Sequence, residues 1–268
     1  SATLFFFLCA AATFAGKSII DAAGEMQATR TAFRTLIGDA DLAQKTLDDL
    51  FALEAKTPFT LQSVLQESKK LLAMGTSAQD LTKTLTMLGD VAAGVGFEKL
   101  PQLTLAFGQI QAKGRLMGTE LRQLTEAGFN LADAMGVSHV ELEDMIAAGE
   151  VGFEDVRKAF ETVTSEGGRF EGLMADLAQT TPGRLSTLES SVYRLKVALG
   201  EALLPAVNQL LDKIMPAIEA FGKWAAEHQN LILIAFAVAA ALGVIGATVL
   251  ILTPIIGGII ATVSLFIT

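Results

Sequence analysis

No charged side chain occurs between Gln229 and Thr268. Within that stretch, LILIAFAVAAALGVIGATVLIL (Leu231–Leu252) is an unbroken apolar run of 22 residues. As a helix rising about 1.5 Å per residue it reaches about 33 Å, enough to cross a hydrocarbon core of about 30 Å. Apolar surface of that extent must be covered by lipid, by partners or by the protein itself. Thr253-Pro254 breaks the run, and a second one continues from Ile255 to Thr268, where the chain stops. Gly243, Gly246, Gly257 and Gly258 permit close helix–helix approach. Residues 229–268 are expected to form a membrane-competent segment. The competing reading is a helical hairpin buried in a large assembly.

The rest of the chain is of another kind. The 268 residues carry a formal net charge of −9, which argues against the clustered Lys and Arg that tight, non-specific DNA binding needs. The single cysteine, Cys9, has no partner for an internal disulfide and no companions for a thiolate metal site. It lies in SATLFFFLCAAATFAG, residues 1–16, which lacks the leading basic residue of a signal peptide and is too short to span a bilayer. Residues 1–30 are expected to form an apolar N-terminal helix packed in the protein or on a partner, with a membrane-inserting helix as the second reading. Because the chain opens at Ser1 and stops inside an apolar run, it reads as a piece of a longer protein.

Strand signals are nearly missing, and glycines cut the helical rhythm into short pieces, so the expected class is all-α. Thr57-Pro58-Phe59-Thr60 is expected to open a helix to about Met74, with Pro58 in its first turn and Gly75 closing it. Thr76 and Gln79 have capping-box spacing for a helix to about Ala93, and Gly94-Val95-Gly96 should break it. Further helices are expected from Phe97 to Lys113, with Pro101 in the first turn, and from Thr119 to about Ala127. Ser138–Glu141 is a second capping box, flanked by Val137 and Leu142 at staple spacing, with Gly149 ending its helix. VGFE occurs at Val95–Glu98 and Val151–Glu154. Each copy reads as a helix start with a glycine cap, an anchoring Phe and an acid at the positive end of the dipole. Residues 31–181 are thus expected to form one helical module.

From Pro182 the character changes. Leu185, Leu188, Val192, Leu195, Leu199, Ala202 and Ala206 alternate by three and four, with Arg184, Glu189, Arg194, Lys196 and Glu201 off that seam. Residues 182–228 read either as a coiled-coil strand or as one long helix packed on its own domain. Pro205 and Pro216 are expected to kink or punctuate it.

The residues give little support for chemistry. AATFAGKS, Ala11–Ser18, fits a loose phosphate-loop pattern, but Ala11 stands where the first glycine belongs and the loop positions are helix or core formers. His139 and His228 are the only histidines and lie in no zinc array. Asp48-Asp49, Glu141-Glu143-Asp144 and Glu154-Asp155 have the spacing of solvated helix faces. No catalytic, cofactor-binding or metal-ligating residue is assigned, and no cofactor is expected.

Five phrases carry a resemblance. They are AKTPFTLQSVLQESKKLLAMG (55–75), LTMLGDVAAGVG (85–96), FGQIQAKGRLMGTELRQLTEAGFNL (107–131), MIAAGEVGFEDVRKAF (145–160) and SEGGRFEGLMADLAQTTPGRLSTLESS (165–191). In this order and spacing, the run from about Phe33 to Gly200 resembles the helical module of tail tape measure proteins of tailed bacteriophages. The resemblance implies a structural, non-enzymatic protein of the virion that fills the tail tube lumen and sets tail length. It implies as partners the tail tube protein, tail assembly chaperones and tail tip or baseplate hub proteins. It also implies ejection ahead of the DNA, with apolar segments helping the genome across the host inner membrane. Phage DNA would lie nearby without sequence-specific binding, and the seam makes a homo-oligomer the expected state. Some members carry a peptidoglycan-cleaving domain, which no residues here match. The alternative is a helical pore-former unrelated to tails, which should lack the ordered phrases.

Overall fold

A computed structural model describes the backbone of residues 2–241 and most side-chain environments from residue 16 to residue 234. All regular elements among the described residues are helical, and the one extended pairing is an isolated antiparallel bridge between Arg115 and Gly152. The class is therefore all-α, as expected. Two compact units are present: residues 27–192, and residues 1–26 together with 193–268. Their borders fall inside the first long helix, α1 (Ala2–Ile37), and the last, α11 (Thr181–Glu227).

The larger unit is a set of short helices: α2 (Ala40–Glu54), α3 (Leu61–Ala73), α4 (Ala78–Val95), α5 (Leu100–Lys113), α6 (Gly118–Glu126), α7 (Leu131–Met135), α8 (His139–Ala148), α9 (Phe153–Thr164) and α10 (Leu173–Ala178). Their starts are chemically marked. Side-chain oxygens of Asp39, Thr60, Ser77, Asn130 and Ser138 each accept from a backbone N–H three residues on, satisfying donors that a helix start leaves without partners. The expected capping box at Ser138 is thus half formed, its serine accepting from Glu141 N–H, and Leu142 is fully buried behind it.

Some boundaries differ from expectation. Pro58 precedes α3 and is not in its first turn, because Thr60 caps the helix from outside and Leu61 is its first residue. Ser77, not Thr76, caps α4; the Thr76 hydroxyl instead donates to Gln111 Oε1 at 2.7 Å. α4 also continues through Gly94 to Val95 and stops only at Gly96, whose φ of 125° no side-chain-bearing residue adopts readily. The two VGFE copies start different elements. Gly152 opens α9 with its N–H donating to Asp155 Oδ2 at 2.8 Å, whereas Gly96 opens a single 3-10 turn, Phe97–Lys99, before α5.

α4 is the hub, packed against α2, α3, α5, α9 and α10. Four phenylalanines form one cluster beside it. Phe107 meets Phe153 and Phe160 edge-on at 5.2 and 5.5 Å, and Phe160 stacks on Phe129 at 4.1 Å. Such pairs add specific geometry to a large apolar burial. α10 is seated on α4 by shape, with Met174 against Gly89 and Phe170 against Gly94, where a Cβ would collide. Between these notches the Asp90 carboxylate accepts from Met174 N–H at 2.9 Å. Burial pushes the Asp90 carboxyl above its usual range, the Met174 hydrogen bond opposes this, and Asp176 adds to it.

In the other unit, the first part of α1 packs on α11 beyond residue 193. Ala22, Ala23, Met26, Val197 and Val207 are buried there. Gly200 lies against the Ile19 carbonyl and 2.6 Å, measured from a would-be Cβ, from the Ala23 side chain. Tyr193 donates to Glu25 at 3.1 Å, and burial first, then Glu25, hold its phenol well above the ordinary range. α11 passes through Pro205 and Pro216 without interruption, so the expected punctuation does not occur. α12 (Gln229–Ala241) follows after His228.

Candidate functional site

Three features are candidates for function. The first is a groove of about 420 Å³ between α4, α5 and α9, floored by Met87, Phe107 and Phe153. Its rim is an ion-pair lattice in which Glu161 accepts from Lys83 and from Arg157, each at 2.7 Å, while Arg157 also reaches Glu154. Lys83 first, then Arg157, hold the Glu161 carboxyl below its usual range against the opposing effect of burial. A carboxylate so paired is an anchor for two cations and has no reason to shuttle protons at neutral pH. The groove is lined by no histidine or cysteine; the one hydroxyl–carboxylate pair on it, Ser77 donating to Asp80 Oδ2 at 2.6 Å, belongs to the cap of α4, where Ser77 also accepts from Asp80 N–H.

The sequence-level candidates for chemistry stay apart. AATFAGKS lies within α1 and forms no loop, so its N–H groups are engaged in the helix and cannot ring a phosphate. His139 is exposed in the first turn of α8. His228 stacks on Trp224 at 5.0 Å, with Nδ1 2.8 Å from the Trp224 carbonyl. Asp48, Asp49, Glu154 and Asp155 are exposed. Among the described residues no group of three or more His, Cys, Asp or Glu could hold a metal ion.

The second feature is α11, 47 residues long. Its two faces differ in kind. Gly183, Ser190, Val197, Gly200 and Val207 are buried, whereas Leu185, Leu188, Val192, Leu195 and Leu199 are 45–60% exposed. The leucine seam is therefore left largely exposed among the described residues. The packed face is the small-residue one, where Gly183 lies against the backbone of Leu177 and Ala178 and Ser190 accepts from Leu61 N–H at 3.0 Å. Sequence reasoning missed this face. Its signal was present in the seven-residue spacing of Gly183, Ser190 and Val197, but those residues are too small or polar to register as an apolar stripe.

The third feature is the apolar run. α12 carries its first part, with Leu231, Leu233 and Ile234 exposed. Among the described residues no helix is long and apolar enough to cross a membrane, and the remainder of the expected hairpin, from residue 242, lies outside them. Just before it, Phe221, Trp224 and His228 stack along one side of α11 and its end.

Capped short helices around α4, an ion-paired groove and a long helix with an exposed apolar seam define an all-α helical protein. The family is more specific. A model of the tape measure protein family matches residues 17–201, more than half of the chain, and the chain belongs to that family. The match takes in all five phrases on which the resemblance rested and assigns the protein to the phage tail. No curated protein and no solved structure shows significant similarity to it.

Proposed function

We propose that this chain fills the lumen of the tail tube, sets tail length during assembly and leaves ahead of the DNA. The observation that carries the reading is the family match over residues 17–201 on a chain whose regular elements are all helical in its described part. A helix is a ruler of fixed pitch, and α11 alone extends about 70 Å. The tube protein, assembly chaperones and tail tip or baseplate hub proteins are its partners in this reading. The net charge of −9 suits an occupant that does not hold DNA and is displaced by it. No catalytic step is included.

On ejection, residues 229–268 enter the host inner membrane. The uncharged run supports this, as does the Trp224–His228 stack at its border, because tryptophan favours the headgroup level of a bilayer. Inside the virion the same run is covered by protein.

The test is an in-frame removal of whole helical turns, with tail length read by electron microscopy. Tails should shorten by about 1.5 Å per residue removed. Particles that assemble with tails of unchanged length would overturn the reading.

A further inference from the structure

We infer that residues 203–224, in the C-terminal half of α11, are a lipid-surface helix. They lie flat on the bilayer that residues 229–268 enter, with their apolar side in the boundary between headgroups and chains. The inference rests on the membrane reading of residues 229–268 and adds to it a second contact, along the membrane surface and not across it.

Wound at about 100° per residue, the segment sorts its side chains onto two sides. Leu203, Leu211, Met215, Ile218 and Trp224 fall within about one half of the circumference and are 42–51% exposed. Val207, near the middle of that half, is the one residue of the segment that the chain buries. Asp212, Lys213, Glu219, Lys223 and Glu227 are all the charged residues from 203 to 228, and each falls on the other half. Pro216 removes a helix hydrogen bond and lies on the charged half too, where water takes the place of the missing donor.

A helix so divided is suited to an interface, where each side meets its own medium. It is not suited to crossing, and no described helix is long and apolar enough to cross a membrane. Two observations select lipid as the cover. The apolar half is continued beyond His228 by Leu231, Leu233 and Ile234, which are 56–66% exposed at the start of the uncharged run. The Phe221–Trp224–His228 stack lies toward one margin of the apolar half, and tryptophan, an apolar body with one N–H, favours the headgroup level. The charged half holds two lysines against three acids, so attraction to anionic lipid adds little and the apolar half carries the attachment.

The experiment uses the whole chain, moved from detergent into vesicles of phosphatidylcholine, which bears no net charge. Trp224 is the only tryptophan, so its emission reports the border of residues 229–268. In a Trp224→Phe background, Leu211→Trp and Asp212→Trp report the two halves at the same height on the helix. Position 211 is about 27 Å along the helix from Gln229, too far for the uncharged run alone to carry it into lipid. A quencher attached to the lipid headgroup should dim Leu211→Trp and leave Asp212→Trp bright, and aqueous acrylamide should do the reverse. Quenching of Leu211→Trp by acrylamide overturns the inference. So does a Leu211→Trp shielded from both quenchers, which means that a second copy or another part of the chain covers the apolar half. Either result leaves the membrane reading standing when Trp224 of the unaltered chain shifts to shorter wavelength in the vesicles. A Trp224 that does not shift overturns that reading, and the inference with it.

Discussion

The backbone N–H of Leu61 donates to the hydroxyl of Ser190 at 3.0 Å, across 129 positions of the chain. Leu61 opens α3 and Ser190 lies on the packed face of α11, and each is 1% exposed. A helix start leaves its first N–H groups without intrahelical partners. Thr60 serves the Ser63 N–H from next door, whereas the Leu61 N–H is served by a residue that only the fold brings there. α11 is thereby tied to the module by a hydrogen bond as well as by packing.

Ser190→Ala should therefore leave a buried donor unpaired and cost about 1–2 kcal/mol. The change removes one oxygen and adds no bulk. Urea unfolding of the module, followed by circular dichroism, checks it. A loss near zero would mean that water or another group replaces the hydroxyl.

Glycines within α11 should respond in opposite directions to alanine. At Gly200 a Cβ meets the Ile19 carbonyl and the Ala23 side chain, and at Gly183 it meets the backbone of Leu177 and Ala178. At Gly222 nothing lies within 4 Å. Gly222→Ala should raise stability by about 0.5–1 kcal/mol through helix propensity alone. Gly183→Ala and Gly200→Ala should lower the thermal midpoint despite the same gain, because backbone must move to admit the methyl group.

Two carboxyls give stability opposite pH slopes. The Asp90 carboxyl lies above its ordinary 3.8 in the folded chain, so the native state binds more protons than the unfolded one. Its contribution is favourable at low pH and is lost as pH rises from that value through the native one. Asp90→Asn keeps an acceptor for Met174 N–H without the buried charge, and should raise the urea midpoint at pH 7 with no gain near pH 3. The Glu161 carboxyl lies below its ordinary 4.5, so its contribution is present above that value and lost as pH falls. Glu161→Gln should flatten the acid side of the profile.

Phe160 is fully buried between Phe107 and Phe129. Phe160→Ala should cost about 3–5 kcal/mol, by lost burial and by the cavity left behind. Denaturant unfolding measures it. Phe160→Leu should recover a large part of the loss, since much of the volume is restored.

A charge at the centre of a spanning helix costs roughly 2.5–3.5 kcal/mol on insertion scales. Ala241→Arg combined with Ile259→Arg should therefore impair dye release from liposomes, and genome delivery by particles whose tails are otherwise normal. Normal delivery by such particles would leave residues 229–268 as lumen packing only.

The all-α class and most helix starts were legible in the residues because caps and punctuation are local. Ser138, Gly149 and Pro101 act on groups within one turn of themselves, so a window of a few positions contains both partners. Where two neighbours compete for one role, locality is not enough. Thr76 and Ser77 can both cap α4, and the contest is decided by Gln111, which engages Thr76 from a distant helix. The heptad seam was equally visible, but not whether the chain covers it. Leu188 looks the same in sequence whether buried or 59% exposed. What decided it was the opposite face, where Gly183, Ser190 and Gly200 let backbones approach closely enough to fix α11 with its leucines outward. Close approach depends on side chains that are missing or small, and an absence gains meaning only when tertiary structure supplies the neighbour that fills it.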